Sequence, residues 1–329
     1  MAGLDFGPPM PAYHPKKAAP PTNFLANFLV LLALIAVLLF VATWTGVIKC
    51  GVVPFWCDTY YSVMGKPKVL IVYGNEGLGN PELLQELMAD PGFVGVKPTM
   101  LQIDRVNLGN LKPYALVIVE RAKKIETKKL QDFVEYVNSG GRLVWTGDSG
   151  TELGTGDDYL YADESPDANQ KEHSIIGPWT RKTGDTIVSF DQLISVNYKA
   201  NYCAIKPCQK EIPTIAGNLR PEPTREHPLI SSLATNLVLR VFDGEDFAIV
   251  NTTSGYVTTE VLSIDYGGEL FDAENKPLGS SSPIIVVSGV GERVAYYAMP
   301  PELFANPKLA RNQKYFSIVR NMYNGMLGR

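Results

Sequence analysis

The sequence predicts an α/β protein: one N-terminal transmembrane helix, then a flavodoxin-like, mostly parallel sheet with flanking helices and an antiparallel C-terminal extension. Three observations predict it. Phe24 to Ile48 is a predominantly apolar, uncharged run with no ionisable side chain between Lys17 and Lys49. Between Lys68 and Thr146, continuous apolar strands alternate with amphipathic helices. Beyond residue 180 the pattern changes to shorter strand signals.

In chain order, residues 1–23 are proline-rich, with the adjacent cations Lys16 and Lys17, and read as a disordered cytoplasmic tail. Residues 24–48 match the roughly 20 apolar residues that cross a bilayer as a helix. Asn27 is the one polar interruption near its start, and Trp44, Trp56, Tyr60 and Tyr61 follow where aromatic rings favour the headgroup level. The run is too long for a cleavable leader, so it reads as a signal-anchor. Residues 49–65 read as a juxtamembrane linker and 66–329 as the folded domain.

Within that domain, Lys68 to Tyr73 is apolar on both faces, as a buried parallel strand is. A loop from Gly74 to Asn80 follows. Asn80 caps a helix that opens with Pro81 and has Leu83, Leu84, Leu87 and Met88 on one face. Strands are expected near Val96 to Ile103, at Tyr114 to Val119 and at Arg142 to Thr146. A helix from Glu126 to Asn138, burying Leu130, Phe133, Val134 and Val137, ends at Gly140-Gly141. Later strands are expected at Thr186 to Phe190, Leu237 to Phe242, Phe247 to Asn251 and Val257 to Tyr266, then a hairpin of Pro283–Val287 with Arg293–Tyr297. A closing helix spans Asn312 to Met326.

The charge balance around the apolar run orients it only weakly, because Lys49, Lys66 and Lys68 offset Lys16 and Lys17. The cysteines decide the orientation. All four lie after the run, as the close pairs Cys50/Cys57 and Cys203/Cys208, which suits two small disulfide loops in an oxidising compartment. The competing arrangement is a single four-thiolate zinc site, whose usual knuckle spacings these pairs lack. Asn251-Thr252-Thr253 is a glycosylation sequon that agrees with an external location. At 45% hydrophobic residues and a net charge of −4, the chain can bury a core and carries no basic patch for nucleic acid.

Ile125 to Asp148, a helix followed by a double glycine and a strand, resembles the corresponding element of the class I glutamine amidotransferase-like superfamily, and within it the non-amidotransferase, membrane-associated branch. Glu226-His-Pro-Leu-Ile230 and Gly289 to Tyr297 are similar to that branch too. The resemblance implies a catalytic cysteine at the turn after the Leu143–Thr146 strand. Here that turn reads Gly147-Asp148-Ser149-Gly150-Thr151, with Ser149 at the serine place of a G-x-S-x-G elbow whose last glycine is Thr151. It also implies a His-x-Glu pair, for which His227-Pro228-Leu229 keeps the histidine and loses the acid. Candidate catalytic residues are therefore Ser149, Asp148 and His227, with His173 as a second histidine. On the structural reading, Asp148 and Ser149 cap the next segment and His227 fixes a turn before Pro228.

Two further segments could bind ligands. Gly74-x-x-Gly77-x-Gly79 lies where such folds hold phosphates, but its order differs from the dinucleotide fingerprint and Glu76 would repel an anion. The acidic stretch Asp148 to Glu172 offers calcium candidates at Asp157, Asp158 and Asp163, though a solvated surface explains it equally simply. No cofactor is implied.

Together these observations point to a non-catalytic, membrane-anchored accessory or scaffold subunit, a pseudoenzyme docking on another envelope protein. The alternatives are a membrane-tethered serine-type hydrolase using Ser149 and His227, and an extracellular sugar- or peptide-binding module that reads its ligand with the acidic stretch. Orientation is directly testable. Protease added to intact cells should digest the C-terminal portion and spare the tail, and the reverse protection would place the domain in the cytoplasm.

Overall fold

The structure is a computed structural model, and it describes residues 24–44, 48, 53, 56–155, 157, 178–183, 186–221, 227–231, 233, 237–253, 257–304 and 317–327. The chain divides into two units, Met1–Val52 and Val53–Arg329. In the first, α1 runs over Phe24–Trp44 and is exposed over most of its length. Its 21 residues span about 30 Å at 1.5 Å each, the thickness of a bilayer's hydrocarbon core. This helix is long and apolar enough to cross a membrane.

In the second unit, the helix α2 (Trp56–Met64) precedes β1 (Val69–Tyr73), α3 (Pro81–Ala89) and β2 (Thr99–Gln102). Next come α4 (Leu108–Leu111), β3 (Leu116–Glu120), β4 (Lys124–Ile125), α5 (Thr127–Asn138), β5 (Arg142–Thr146) and β6 (Glu152–Leu153). Past the acidic stretch lie β7 (Thr180–Thr183), β8 (Thr186–Ser189), α6 (Phe190–Ile194), β9 (Val196–Asn201), α7 (Tyr202–Ile205), β10 (Thr214–Pro221) and β11 (Leu237–Val241). The chain finishes with β12 (Ala248–Thr252), β13 (Thr258–Phe271), β14 (Pro277–Ser288), β15 (Val294–Tyr297), α8 (Pro301–Phe304) and α9 (Ser317–Leu327).

Nine strands form one sheet in the order β11-β10-β13-β14-β15-β5-β3-β1-β2. From β15 to β2 every pairing is parallel, and from β11 to β15 every pairing is antiparallel. Burial follows the pattern that the sequence carries. The β3 segment Leu-Val-Ile-Val-Glu is buried at every position, as a strand covered on both faces must be, whereas Leu-Val-Leu-Arg-Val of β11 alternates buried and exposed. The hairpin expected near the C-terminus is β14–β15, and it is the seam between the two halves.

The expected caps also form. Asn80 Oδ1 accepts from Leu83 N at 3.0 Å, at the start of a helix opened by Pro81. Leu84, Leu87 and Met88 are buried there, and Leu83 is half-buried. Helix α5 buries Leu130, Phe133, Tyr136 and Val137 and ends where Gly140 N and Gly141 N turn back to Val137 O and Tyr136 O, both at 3.0 Å. A Cβ on Gly141 would collide with the Tyr136 ring.

Several boundaries differ from the sequence expectation for identifiable reasons. The strand expected from Val96 to Ile103 starts only at Thr99, because Val96 N is bonded to Met88 O and Pro98 has no N–H to pair. Phe190, expected to end a strand, instead opens α6 and is fully buried, with its N–H on Trp179 O at 2.9 Å. Strands β7, β9 and β10 carry the polar sequences Thr-Arg-Lys-Thr, Val-Asn-Tyr-Lys-Ala-Asn and Thr-Ile-Ala-Gly-Asn-Leu-Arg-Pro, which give no apolar signal. Residues 49–65 are more than the expected linker: they contain α2, with Tyr60 buried, and Cys57 is the second residue of that helix instead of part of a linker. The closing helix is described from Ser317. The start expected for it at Asn312 lies outside the described residues.

Helix α5 has a cap that local sequence does not provide. Glu126 at its N-cap position makes no side-chain cap bond. Asp157 does so from thirty residues further on, taking Thr127 N at 2.8 and 3.1 Å and Thr127 Oγ1 at 3.0 Å. Behind it, buried Arg181 pairs with Asp157 at 3.4 Å and donates to Gly150 O and Glu152 O at 2.6 and 2.9 Å, and to Ile125 O. Removing the carboxylate uncaps the helix and strands a buried guanidinium, so Asp157→Ala should cost about 3 kcal/mol. Asp157→Asn, which keeps an acceptor, should cost less. Denaturant unfolding of both variants measures this, and equal losses would show that the acceptor alone contributes nothing and that the charge opposite Arg181 is what matters.

Candidate functional site

Parallel pairing brings the carboxyl ends of β1, β3, β5 and β15 to one edge, where open α/β sheets hold their ligands. Four segments meet there: Gly74–Asn80 after β1, Arg121–Lys123 after β3, Gly147–Thr151 after β5, and Ala298–Glu302 after β15. They are laced together by main-chain bonds. Arg121 N donates to Leu78 O at 3.0 Å, Lys123 N to Glu76 O at 2.8 Å, Gly150 N to Ala122 O at 2.8 Å and Gly147 N to Tyr297 O at 2.7 Å. Arg121 has a φ of +52°, a conformation uncommon outside glycine, immediately beyond β3.

At the sharp turn after β5, where the resemblance implies a nucleophile, the residues are held by packing and main-chain bonds. Gly147 and Gly150 have left-handed backbone, at φ +55° and +73°, and a Cβ built on Gly147 would lie 2.9 Å from Leu78 Cβ. Ser149 is fully buried. Its Oγ lies 3.5 Å from Ala122 N, and its carbonyl accepts from the indoles of Trp145 and Trp179, both at 2.8 Å. Asp148 is buried and does not cap the next segment with its side chain: Oδ1 takes Leu78 N at 2.7 Å, and Oδ2 takes Asn201 Nδ2 at 3.0 Å. Its carbonyl accepts the Thr151 hydroxyl at 2.8 Å.

His227 stands elsewhere. Its Nδ1 accepts from Leu229 N at 3.2 Å, fixing the turn at Pro228–Ile230, and its Nε2 lies 3.2 Å from Glu292 Oε2. β15 pairs with β5 from Val294↔Leu143 to Tyr297↔Thr146. Glu292 therefore sits at the amino ends of these strands and Ser149 beyond their carboxyl ends, a strand length of on the order of 15 Å. The structure does not bring Ser149 and His227 together. His173 lies outside the described residues.

Among the calcium candidates, Asp157 has both oxygens committed to Thr127 and Arg181, while Asp158 and Asp163 lie outside the described residues. No cluster of three or more metal-ligating side chains occurs among the described residues. Of the two expected disulfides, Cys203 and Cys208 form theirs. The other expected bridge, between Cys50 and Cys57, lies outside the described residues. Cys57 is described only as a backbone position of α2, and both its side chain and Cys50 lie outside what the structure describes. Asn251 of the sequon is exposed on β12. In the glycine-rich loop, Glu76 pairs with Lys124 at 3.0 Å beside a cleft of about 190 Å³ that is also lined by Asp104, Lys123, Glu126 and Lys129.

Sequence reasoning missed the buried acids of this edge. Glu120 ends β3 and Glu302 opens α8, both with no exposed surface. Asp246 accepts from Cys203 N at 2.9 Å and from Phe247 N at 2.7 Å. Burial, with the nearby Asp148 charge adding to it, pushes it up to about 6. Tyr198 is raised by burial and by Asp148, and Tyr296, whose hydroxyl donates to Gly147 O at 2.8 Å, is raised by the same causes. A glutamate as the last residue of an otherwise apolar strand was the one local signal available for Glu120.

No family model and no curated protein matches the chain. Among solved structures, a ThuA-like protein from Bacteroides uniformis aligns with 79% of this chain and 92% of its own, at 13% identity and a TM-score of 0.47. PurLQS from Thermotoga maritima aligns with 78% and 99%, at 11% identity and a TM-score of 0.43. A β-galactosidase from Rahnella sp. R3 aligns with 81% of this chain at 13% identity and a TM-score of 0.45, but this chain spans only 32% of that enzyme.

The packing at Gly147 has a measurable consequence. Gly147→Ala adds a Cβ against Leu78 in a left-handed conformation and should destabilise by about 1–3 kcal/mol. Pairing it with Leu78→Gly, which removes the obstructing Cβ, should recover part of that loss in a double-mutant cycle of unfolding free energies. Full additivity would mean that Leu78 is not the obstruction.

Proposed function

We infer that this chain is a single-pass, membrane-anchored accessory subunit, whose extracytoplasmic amidotransferase-like domain docks on another envelope protein and performs no chemistry at the turn after β5. One observation carries the reading: Ser149, at the serine place of that turn, is fully buried with its Oγ 3.5 Å from Ala122 N and no imidazole beside it among the described residues. The chain facing the turn agrees. Gly147 N bonds Tyr297 O, and in the chain beyond that strand, Ala298-Met299-Pro300-Pro301-Glu302, the one ionisable group is Glu302, which is fully buried with Oε1 on Asn80 N. Anchoring is supported by α1, whose exposed apolar surface suits lipid better than water. Docking is supported by Val257 and Val290, which are 73% and 87% exposed on the rim of an apolar groove lined by Val134, Val137, Leu193 and Val294.

A serine hydrolase using Ser149 and His227 is disfavoured by their separation along the sheet and by the burial of Ser149. Extraction in mild detergent followed by identification of copurifying chains tests the accessory role. A stoichiometric membrane partner, retained by wild type and weakened at least tenfold in Val290→Asp, is the expected result. A lone monomer, or a hydrolytic activity abolished by Ser149→Ala, would contradict it.

A further inference from the structure

Two carboxyl groups from distant parts of the chain meet beneath the Gly74–Asn80 loop. Glu120 and Glu302 are both fully buried, and Oε1 of each accepts from the same backbone N–H, that of Asn80, at 2.6 and 2.9 Å. Among the described residues, neither Oε2 has a hydrogen-bond partner. Ionised carboxylates only accept hydrogen bonds, so two of them here would leave buried lone pairs unsatisfied and like charges close together in a poorly screened interior. A cation between them would have to compete with the Asn80 N–H, which already points its positive end at both groups. A single proton resolves both problems, because it turns one acceptor into a donor toward the other.

We propose that Glu120 and Glu302 share one proton at neutral pH, forming a carboxyl–carboxylate clip that joins the end of β3 to α8 and to the start of α3. Loss of that proton loosens the carboxyl edge of the sheet. The surrounding charges favour this state. Burial is the largest cause raising Glu120 well above the usual carboxylate range, followed by the charge of Glu302, with Glu82 in the first turn of α3 adding to it and the Asn80 N–H opposing. Glu302 is raised by burial, while the neighbouring Glu120 carboxyl and the Asn80 N–H lower it. On the neighbouring strand Tyr73 lies beside Glu120, and α9 carries the buried Tyr323 and the exposed Arg320.

The direction of the pH effect follows from proton binding. A carboxyl group whose folded value is raised holds its proton in the native state after the unfolded chain has lost it. Stability is therefore full below the unfolded value, near 4.5 for glutamate, and falls as pH rises toward the folded value. With one proton at stake, the unfolding equilibrium shifts by up to about tenfold per pH unit in that window.

Infrared spectroscopy of the detergent-solubilised full chain at neutral pH should show the C=O stretch of a protonated carboxyl group, lost in both Glu120→Gln and Glu302→Gln, whose amide supplies the missing donor. Thermal unfolding between about pH 5 and about pH 9 should show a falling midpoint for wild type and a flatter profile for either variant. A wild-type spectrum with no protonated carboxyl would overturn the proposal, even if neither variant folds. So would an unchanged pH slope in folded variants, or stabilisation by added Ca²⁺ or Mg²⁺ that the variants lose, which would assign the pair to a cation.

Discussion

The ladder on either side of β15 is the constraint on which the rest of this domain depends. That strand is four residues long and fully buried, yet it pairs antiparallel with β14 on one side and parallel with β5 on the other. Every crossing from the antiparallel half of the sheet to the parallel half runs through it. Its flanks extend the grip, with Leu143 N on Arg293 O at 2.9 Å at one end and Gly147 N on Tyr297 O at 2.7 Å at the other. Because a one-residue slip would turn every buried side chain to the wrong face, this short ladder fixes the register of both halves.

The same ladder determines what the carboxyl edge can do. By bonding Gly147 N to Tyr297 O it draws the turn after β5 against the chain that leaves β15, and Leu78 fills the remaining space. The polar groups there are consumed in holding loops together: Asp148 on Leu78 and Asn201, Tyr296 on Gly147, and both indoles on the carbonyl of Ser149. A catalytic edge needs a nucleophile and a base within hydrogen-bond reach of a reacting group. Here Asp148, Tyr296 and the Ser149 carbonyl are bonded to neighbouring loops.

How much of this the sequence carries depends on the range of the interaction. The apolar runs expected at Lys68–Tyr73 and Tyr114–Val119 form strands at Val69–Tyr73 and Leu116–Glu120, and the Asn80-Pro81 helix start and the Gly140-Gly141 stop fall where they were expected; all are local signals. Strands β9 and β10 are polar, so their pairing was invisible until the neighbouring strands were in place. The site was least legible. Asp157 reads as one acid in an acidic stretch, and only the fold reveals that it caps a helix thirty residues earlier. Glu120 and Glu302 are separated by most of the domain, and nothing in either neighbourhood announces the other. Ser149 and His227 have the right chemistry in sequence and lie at opposite ends of the strands, because spacing says nothing about which end of a sheet a loop occupies.

The turn after β5 is packed as tightly as the core, and the loops beside it are tied to one another by hydrogen bonds rather than held open for a substrate. Hydrogen exchange of the full chain in detergent tests it most directly. The account predicts that the amides of Leu78, Asn80, Arg121, Gly147 and Gly150 exchange as slowly as those of β3 and β5. Exchange of the Gly74–Asn80 loop and the Gly147–Thr151 turn orders of magnitude faster than those strands would reveal an open, mobile edge and contradict it.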